Sequence, residues 1–165
     1  MTKKILDVTC GMRGIWFNKN NPLALYCDRR KEEHHVATTN GGTKNIVVSP
    51  DVVCDFTNLP FDDNTFSLVV FDPPHVENLP KDSLMNKLYS SLGDNWREML
   101  HKGFSECMRV LKPDGVLIFK WSDTSISTRE VIEALGEEPL FGHRSGKKMN
   151  THWMCFMKVL NEPEN

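Results

Sequence analysis

The feature that most constrains how this chain folds is a succession of short runs rich in Val, Ile, Leu and Phe, separated by turn chemistry and mostly ending on a polar or acidic residue. They predict strands near 4–9, 23–27, 51–54, 67–72, 115–121, 139–142 and 152–159. Runs this apolar suit a sheet covered on both faces. Trp96, Met99, Leu100, Phe104, Cys107, Val110 and Leu111 recur at helical spacing and predict a helix over 94–111, with Asp94 as N-cap and Lys112-Pro113-Asp114-Gly115 as the turn that ends it. Ser127 and Glu130 have capping-box spacing, so a second helix is expected over 127–135, closed by Gly136. The 28–50 connection is polar, with His34, His35 and the breaker run Asn40-Gly41-Gly42, and any helix in it is expected to be short. Strands alternating with helices imply an α/β fold with a doubly wound, mainly parallel sheet, whose ligands bind beyond the carboxyl ends of the strands.

Polar groups gather at that edge. Asp7-Val8-Thr9-Cys10-Gly11 closes the first strand and leads through Gly14 into a loop where glycine lets backbone approach a ligand closely. Taken alone, this loop is equally what any tight strand-to-helix turn requires. Asp28, at the end of the second strand, stands where a carboxylate accepts two ribose hydroxyl protons. The loop carries neither GxGxxG nor GxxxxGK, so a nucleoside without phosphates fits better than NAD or ATP. Asp55 and Phe56 follow the third strand as a carboxylate for an adenine amino group and a ring to lie against the purine. Asp72-Pro73-Pro74-His75 ends the fourth strand and Lys120-Trp121 the fifth.

A length of 165 residues, 39% of them hydrophobic and 25% charged, suits one domain, expected over 1–160 with 161–165 as a tail. The net charge of -2 argues against a surface that grips nucleic acid throughout, but leaves room for a local basic patch. No run approaches the ~20 apolar residues of a membrane span, and the start MTKKILDVTC lacks a signal pattern, so no membrane partner and a cytoplasmic location are expected. Cys10, Cys27, Cys54, Cys107 and Cys155 form no CxxC pair and read as reduced thiols. His34 and His35 point to opposite faces of an extended backbone and lack a third ligand, so no metal is expected. The assembly is expected to be a monomer or homodimer.

In chain order, DVTCGMRG, Asp28, CDFTNLPFDDNTFSLVVFDPP and FSECMRVLKPDGVLIFKW resemble the cofactor loop, ribose-binding acid, adenine-binding and catalytic strands, and helix-turn-strand unit of class I S-adenosylmethionine-dependent methyltransferases. The resemblance covers nearly the whole chain. It implies a Rossmann-like three-layer sandwich with a seven-stranded, mainly parallel sheet and an antiparallel last strand. It also implies S-adenosylmethionine as cofactor and S-adenosylhomocysteine as product, with Asp7, Thr9, Cys10, Gly11, Gly14, Asp28, Asp55 and Phe56 forming the cofactor site. The chain, including its ending FGHRSGKKMNTHWMCFMK, is also similar to short phage-type proteins described as methyltransferases of this kind.

Asp72-Pro73-Pro74-His75 resembles the D/N/S-P-P-Y/F/W signature of amino-methyltransferases acting on adenine, cytosine or glutamine nitrogen. Such an amine has its lone pair delocalised. Asp72 and the Pro73 carbonyl are suited to accept its two hydrogens and aim the lone pair at a methyl donor, with Pro74 stiffening the backbone. His75 replaces the family's aromatic residue; imidazole can stack on a base or take up the released proton, its ordinary pKa being about 6.5.

The long connection VENLPKDSLMNKLYSSLGDNW suits a cover over the substrate, with Tyr89 and Trp96 as candidate contacts. Lys120 would meet a phosphate or Asp72, Trp121 faces the same edge, and Arg144 and Lys147 in a basic loop would guide a nucleic-acid backbone. The expected reaction is methyl transfer to adenine N6 or cytosine N4. Alternatives are ribose 2'-O transfer, for which Asp72 and Lys120 resemble half of the required set, a small-molecule amine acceptor, or a regulatory module that binds cofactor without turnover.

Overall fold

The computed structural model describes residues 2–37, 40–80, 83–145 and 150–160. Its strands are β1 (Ile5–Asp7), β2 (Ala24–Asp28), β3 (Glu32–Ala37), β4 (Thr43–Val48), β5 (Val52–Val53), β6 (Phe66–Phe71), β7 (Leu111–Ser122), β8 (Phe141–Ser145) and β9 (Thr151–Met157). The helices are α1 (Leu84–Tyr89), α2 (Trp96–Val110) and α3 (Thr128–Leu135). Seven strands form one sheet in the order β5-β2-β1-β6-β7-β9-β8. Neighbours from β5 to β7 pair in parallel, and the last strand, β9, is antiparallel to both β7 and β8. This is the expected Rossmann-like α/β sheet, reversing strand order beside β1.

Local chemistry accounts for the helices. Trp96, Leu100, Gly103, Phe104, Cys107 and Val110 form the buried stripe of α2, and Phe104 meets Phe156 of β9 edge-on at 4.9 Å. Its N-cap is Asn95, one residue beyond the expected Asp94. In α3 the capping box joins Ser127 to Glu130, and Gly136 closes the helix in the left-handed conformation at φ 80°. Lys112-Pro113-Asp114-Gly115 is a register shift inside an extended segment: Leu111 pairs with Phe66, and regular pairing resumes at Val116 opposite Leu68.

Two features depart from the sequence reading. The 28–50 connection, where no strand is expected and any helix is expected to be short, holds an antiparallel hairpin, β3 with β4. Its polar alternation hides the strand period, for Glu32 sits beside His34 and Glu33 beside His35 along the two faces of β3. The expected three layers are complete on one side only. α2 and α3 pack against Leu117, Phe119, Trp121, Met154 and Phe156, whereas no helix among the described residues follows β1, β2 or β5. On the second face Trp16 and Ile5 pack over Cys10, Ala24 and Tyr26, while Leu68, Val116 and Ile118 stay half-buried.

Candidate functional site

The carboxyl ends of β1, β6 and β7 open into a cavity of about 310 Å3, at the small end of the usual range for ligand pockets. Asp7, Thr9, Cys10, Gly11 and Gly14 line one side, Asp72 to His75 and Lys120 the other, and Arg30 and Leu88 border it. The structure therefore brings together most of the residues singled out in the sequence.

The loop after β1 is tied down by its own polar atoms. Asp7 accepts hydrogen bonds from the Thr9 N–H at 3.2 Å and from Trp16 Nε1 at 2.7 Å. Burial outweighs those bonds and pushes the Asp7 carboxyl up to about 7. Gly11 adopts φ 48°, a left-handed conformation that disfavours side chains, and a Cβ there would meet nothing within 4 Å. Its N–H donates to Asp28 Oδ2 at 3.0 Å, joining the loop to the end of β2. Arg13 pins the outer turn by donating to Lys19 O and Ser49 O while lying 3.8 Å over the Tyr26 ring. Burial raises the Cys10 thiol to about 12, which removes it as a nucleophile.

Asp28 is buried, and its Oδ1 accepts from the Arg30 N–H at 2.9 Å and from Arg30 Nε at 3.3 Å. It borders a second cavity of about 40 Å3 with Val8, Phe56 and Ser90. Arg30 donates to Lys87 O at 3.0 Å and Arg29 to Ser90 Oγ at 2.6 Å, so tandem arginines fasten α1 beside this cavity.

Asp72 joins the two halves of the site. Its N–H donates to Thr9 Oγ1 at 3.0 Å, its Oδ1 lies 3.1 Å from His75 Nε2, and its Oδ2 accepts from Lys120 Nζ at 2.7 Å. Burial by itself raises this carboxyl, but the His75 hydrogen bond and the Lys120 charge outweigh it and hold the group below its ordinary value. The His75 ring stands edge-on to Trp121 at 5.1 Å, its carbonyl accepts from Ser125 Oγ, and its buried Nδ1 has no partner among the described residues.

Other expected site residues stand apart from the cleft. Asp55 is exposed, accepts from the Thr57 N–H and hydroxyl, and borders a separate depression with Glu98 and Lys102. Phe56 packs in the core against Phe71, 5.1 Å between ring centres, with only an edge at the small cavity. Trp96 and Trp121 are 3% and 0% exposed, so both rings are core: Trp96 lies under Arg97, and Trp121 donates its indole N–H to Ile126 O. The side chains of Tyr89 and Arg144, and Lys147 entirely, lie outside the described residues, as does the 161–165 tail. Arg30, Trp16, Arg13 and Leu88 were missed. The pair Arg29-Arg30 directly after Asp28 was the available signal for the first; nothing in the sequence tied Trp16 to Asp7.

A family model described as "Methyltransferase domain" matches residues 6–119. The chain belongs to this family and is an S-adenosylmethionine-dependent methyltransferase. No curated protein sequence matches it. Among solved structures it is similar to a SAM-dependent methyltransferase from Methanosarcina mazei, with 13% identity, a TM-score of 0.58 and coverage of 97% of this chain and 95% of that one. The PH0226 protein from Pyrococcus horikoshii OT3 is 16% identical with a TM-score of 0.59, over 95% of this chain and 82% of that one. Geranyl diphosphate C-methyltransferase from Streptomyces coelicolor A3(2), solved with Mg2+, geranyl diphosphate and S-adenosyl-L-homocysteine, is 10% identical with a TM-score of 0.56, over 95% of this chain and 71% of that one. At these identities the likeness is one of fold. No described helix is long and apolar enough to cross a membrane.

Proposed function

We propose that this methyltransferase acts on an exocyclic amine nitrogen of a nucleobase, adenine N6 or cytosine N4, at Asp72-Pro73-Pro74-His75. The observation that carries this is the half-buried Asp72 carboxylate, held ionised by His75 and Lys120, in a residue whose backbone N–H donates to Thr9 of the loop after β1. S-adenosylmethionine, when bound, supplies a methyl group on a positively charged sulfur. The site's chemistry fits that group: Asp7, Asp28 and Asp72 answer its sulfonium and ammonium charges and its ribose hydroxyls, and the open space at Gly11 admits it against backbone.

A carboxylate has about four acceptor positions, so Asp72 can take an amine hydrogen while keeping Lys120 and His75. The Pro73 carbonyl takes the second hydrogen. Both hydrogens being held, the nitrogen lone pair is freed from its ring and aimed into the cavity. With the donor bound, its S–C bond would break with the electrons going to sulfur as the N–C bond forms, and the surplus amine proton would leave to water, because His75 Nε2 is engaged with Asp72 and its Nδ1 is buried. Nucleic acid is the proposed partner, in a cytoplasmic setting.

The Asp72–Lys120 ion pair at 2.7 Å favours a second reading, ribose 2'-O transfer. Radiolabelled transfer to DNA and RNA oligonucleotides, digested to nucleosides, separates the two: the label is expected on a base nitrogen and to disappear with Asp72→Ala. Label on ribose would assign the second reading instead.

A further inference from the structure

One tryptophan has no structural task. Trp16 donates to Asp7, Trp96 lies buried under Arg97, and Trp121 is in the core with its indole N–H on Ile126 O. Trp153 is half-buried on β9, outside the two core clusters, and its indole N–H has no partner among the described residues. Its recorded neighbour is the ammonium of Lys120, 5.8 Å from the ring centre and at the edge of cation–π range. An indole whose N–H is left without a protein partner suits a binding surface, where tryptophan is enriched.

Register gives the ring its meaning. Lys120 pairs with Trp153, and Trp153 with His143, so the three side chains share one face of three adjacent strands. Lys120 holds Asp72 at the end of β6. The row Asp72, Lys120, Trp153 and exposed His143 thus crosses the sheet from the reacting carboxylate to the edge strand, on the face that no described helix covers. Trp153 is two strands from Asp72, roughly 10 Å. That exceeds the width of one base, so a base whose amine is at Asp72 does not itself cover the indole. The nucleotide beside it does.

Resting on the nucleobase-amine reading above, we propose that Trp153 is a stacking platform for the nucleotide adjacent to the target, and that the acceptor is a single-stranded nucleic acid, not a free nucleotide. Taking the target base out of its stack leaves the neighbouring base with a bare face, and an indole recovers that contact without reading sequence.

The test compares wild type, Trp153→Phe and Trp153→Ala in methyl transfer to mixed-sequence single-stranded oligonucleotides and to the corresponding mononucleotides, with thermal melting as a control for folding. Trp153→Ala is expected to raise KM for oligonucleotides roughly 5- to 100-fold. The kcat and the mononucleotide KM stay unchanged, Trp153→Phe recovers most of the loss, and the loss persists at raised salt. Equal KM for wild type and Trp153→Ala on oligonucleotides, with wild type methylating them, overturns the platform alone. An equal loss on mononucleotides does the same. Failure of wild type to methylate any base overturns the underlying function instead.

Discussion

Lys120 Nζ donates to Asp72 Oδ2 at 2.7 Å, across the ends of two neighbouring parallel strands. The pair keeps a half-buried carboxylate charged at the mouth of the cavity, since desolvation alone would drive Asp72 toward its neutral form. Depression of the folded-state pKa means that this ion pair stabilises the protein above the ordinary carboxyl value of 3.8 and is lost as pH falls through the lower folded value. Lys120→Met is expected to lower the transfer rate about tenfold or more and to move the acid limb of the pH–rate profile upward. Lys120→Arg restores part of both. A profile unchanged in Lys120→Met would show that the ammonium does not set the charge of Asp72.

Asp7 shifts in the opposite direction. With its carboxyl raised to about 7, the folded protein holds a proton that the unfolded chain releases near 3.8, so this group's contribution to stability falls as pH rises between those values and levels off above about 7. A cationic ligand prefers the ionised form. Affinity for S-adenosylmethionine, measured by calorimetry, is therefore expected to rise on the order of tenfold between pH 6 and 8, and Asp7→Asn flattens that dependence. Trp16→Phe removes a hydrogen bond that favours the charged form, and is expected to weaken cofactor binding at neutral pH.

Gly103 tests the packing beneath the site. A Cβ there would lie 2.5 Å from the Phe56 ring, which is wedged against Phe71. Gly103→Ala is expected to cost about 1–3 kcal/mol in denaturant unfolding. Gly14→Ala, where a Cβ meets nothing within 4 Å, leaves the unfolding midpoint nearly unchanged.

The arginine clamp on α1 yields a dynamic prediction. Arg30 reaches Lys87 O and Arg29 reaches Ser90 Oγ, while Ser90 itself sits at a strained φ of 63°. Combined Arg29→Ala and Arg30→Ala substitution is expected to speed amide exchange over 84–90 by roughly tenfold and leave β6 and β7 unchanged. Uniform acceleration throughout the sheet would indicate general destabilisation instead.

The parts of this molecule legible in the sequence are those fixed by local chemistry. Ser127, Glu130 and Gly136 state the limits of α3 almost completely, and the apolar run before Asp72 marks β6, in which Val69, Val70 and Phe71 are all buried. The β3–β4 hairpin was illegible because Glu32 to His35 put polar side chains on both faces of β3, and the buried alternation of β4 is only Ile46 and Val48. The loop after β1 and Asp72-Pro73-Pro74-His75 were legible as features of one sheet edge because each lies within a few residues of a strand end. Burial depends on the whole fold, so an aromatic beside the site in sequence, such as Trp121, proved to be core, while Trp153 on the neighbouring strand kept a free face. Arg30 stands two residues after Asp28 in the sequence, which is its only local signal, and its contact with Lys87 O of α1, 57 residues away, has none.

Asp72-dependent transfer to nitrogen is read out by mass spectrometry of nucleosides digested from oligonucleotides incubated with labelled S-adenosylmethionine and either wild type or Asp72→Ala. Wild type is expected to yield N6-methyladenine or N4-methylcytosine, and Asp72→Ala roughly a hundredfold less or lower still, given the loss usual for removing a polar transition-state contact. Methylation on ribose, or a base-methyl yield unchanged by Asp72→Ala, would contradict it.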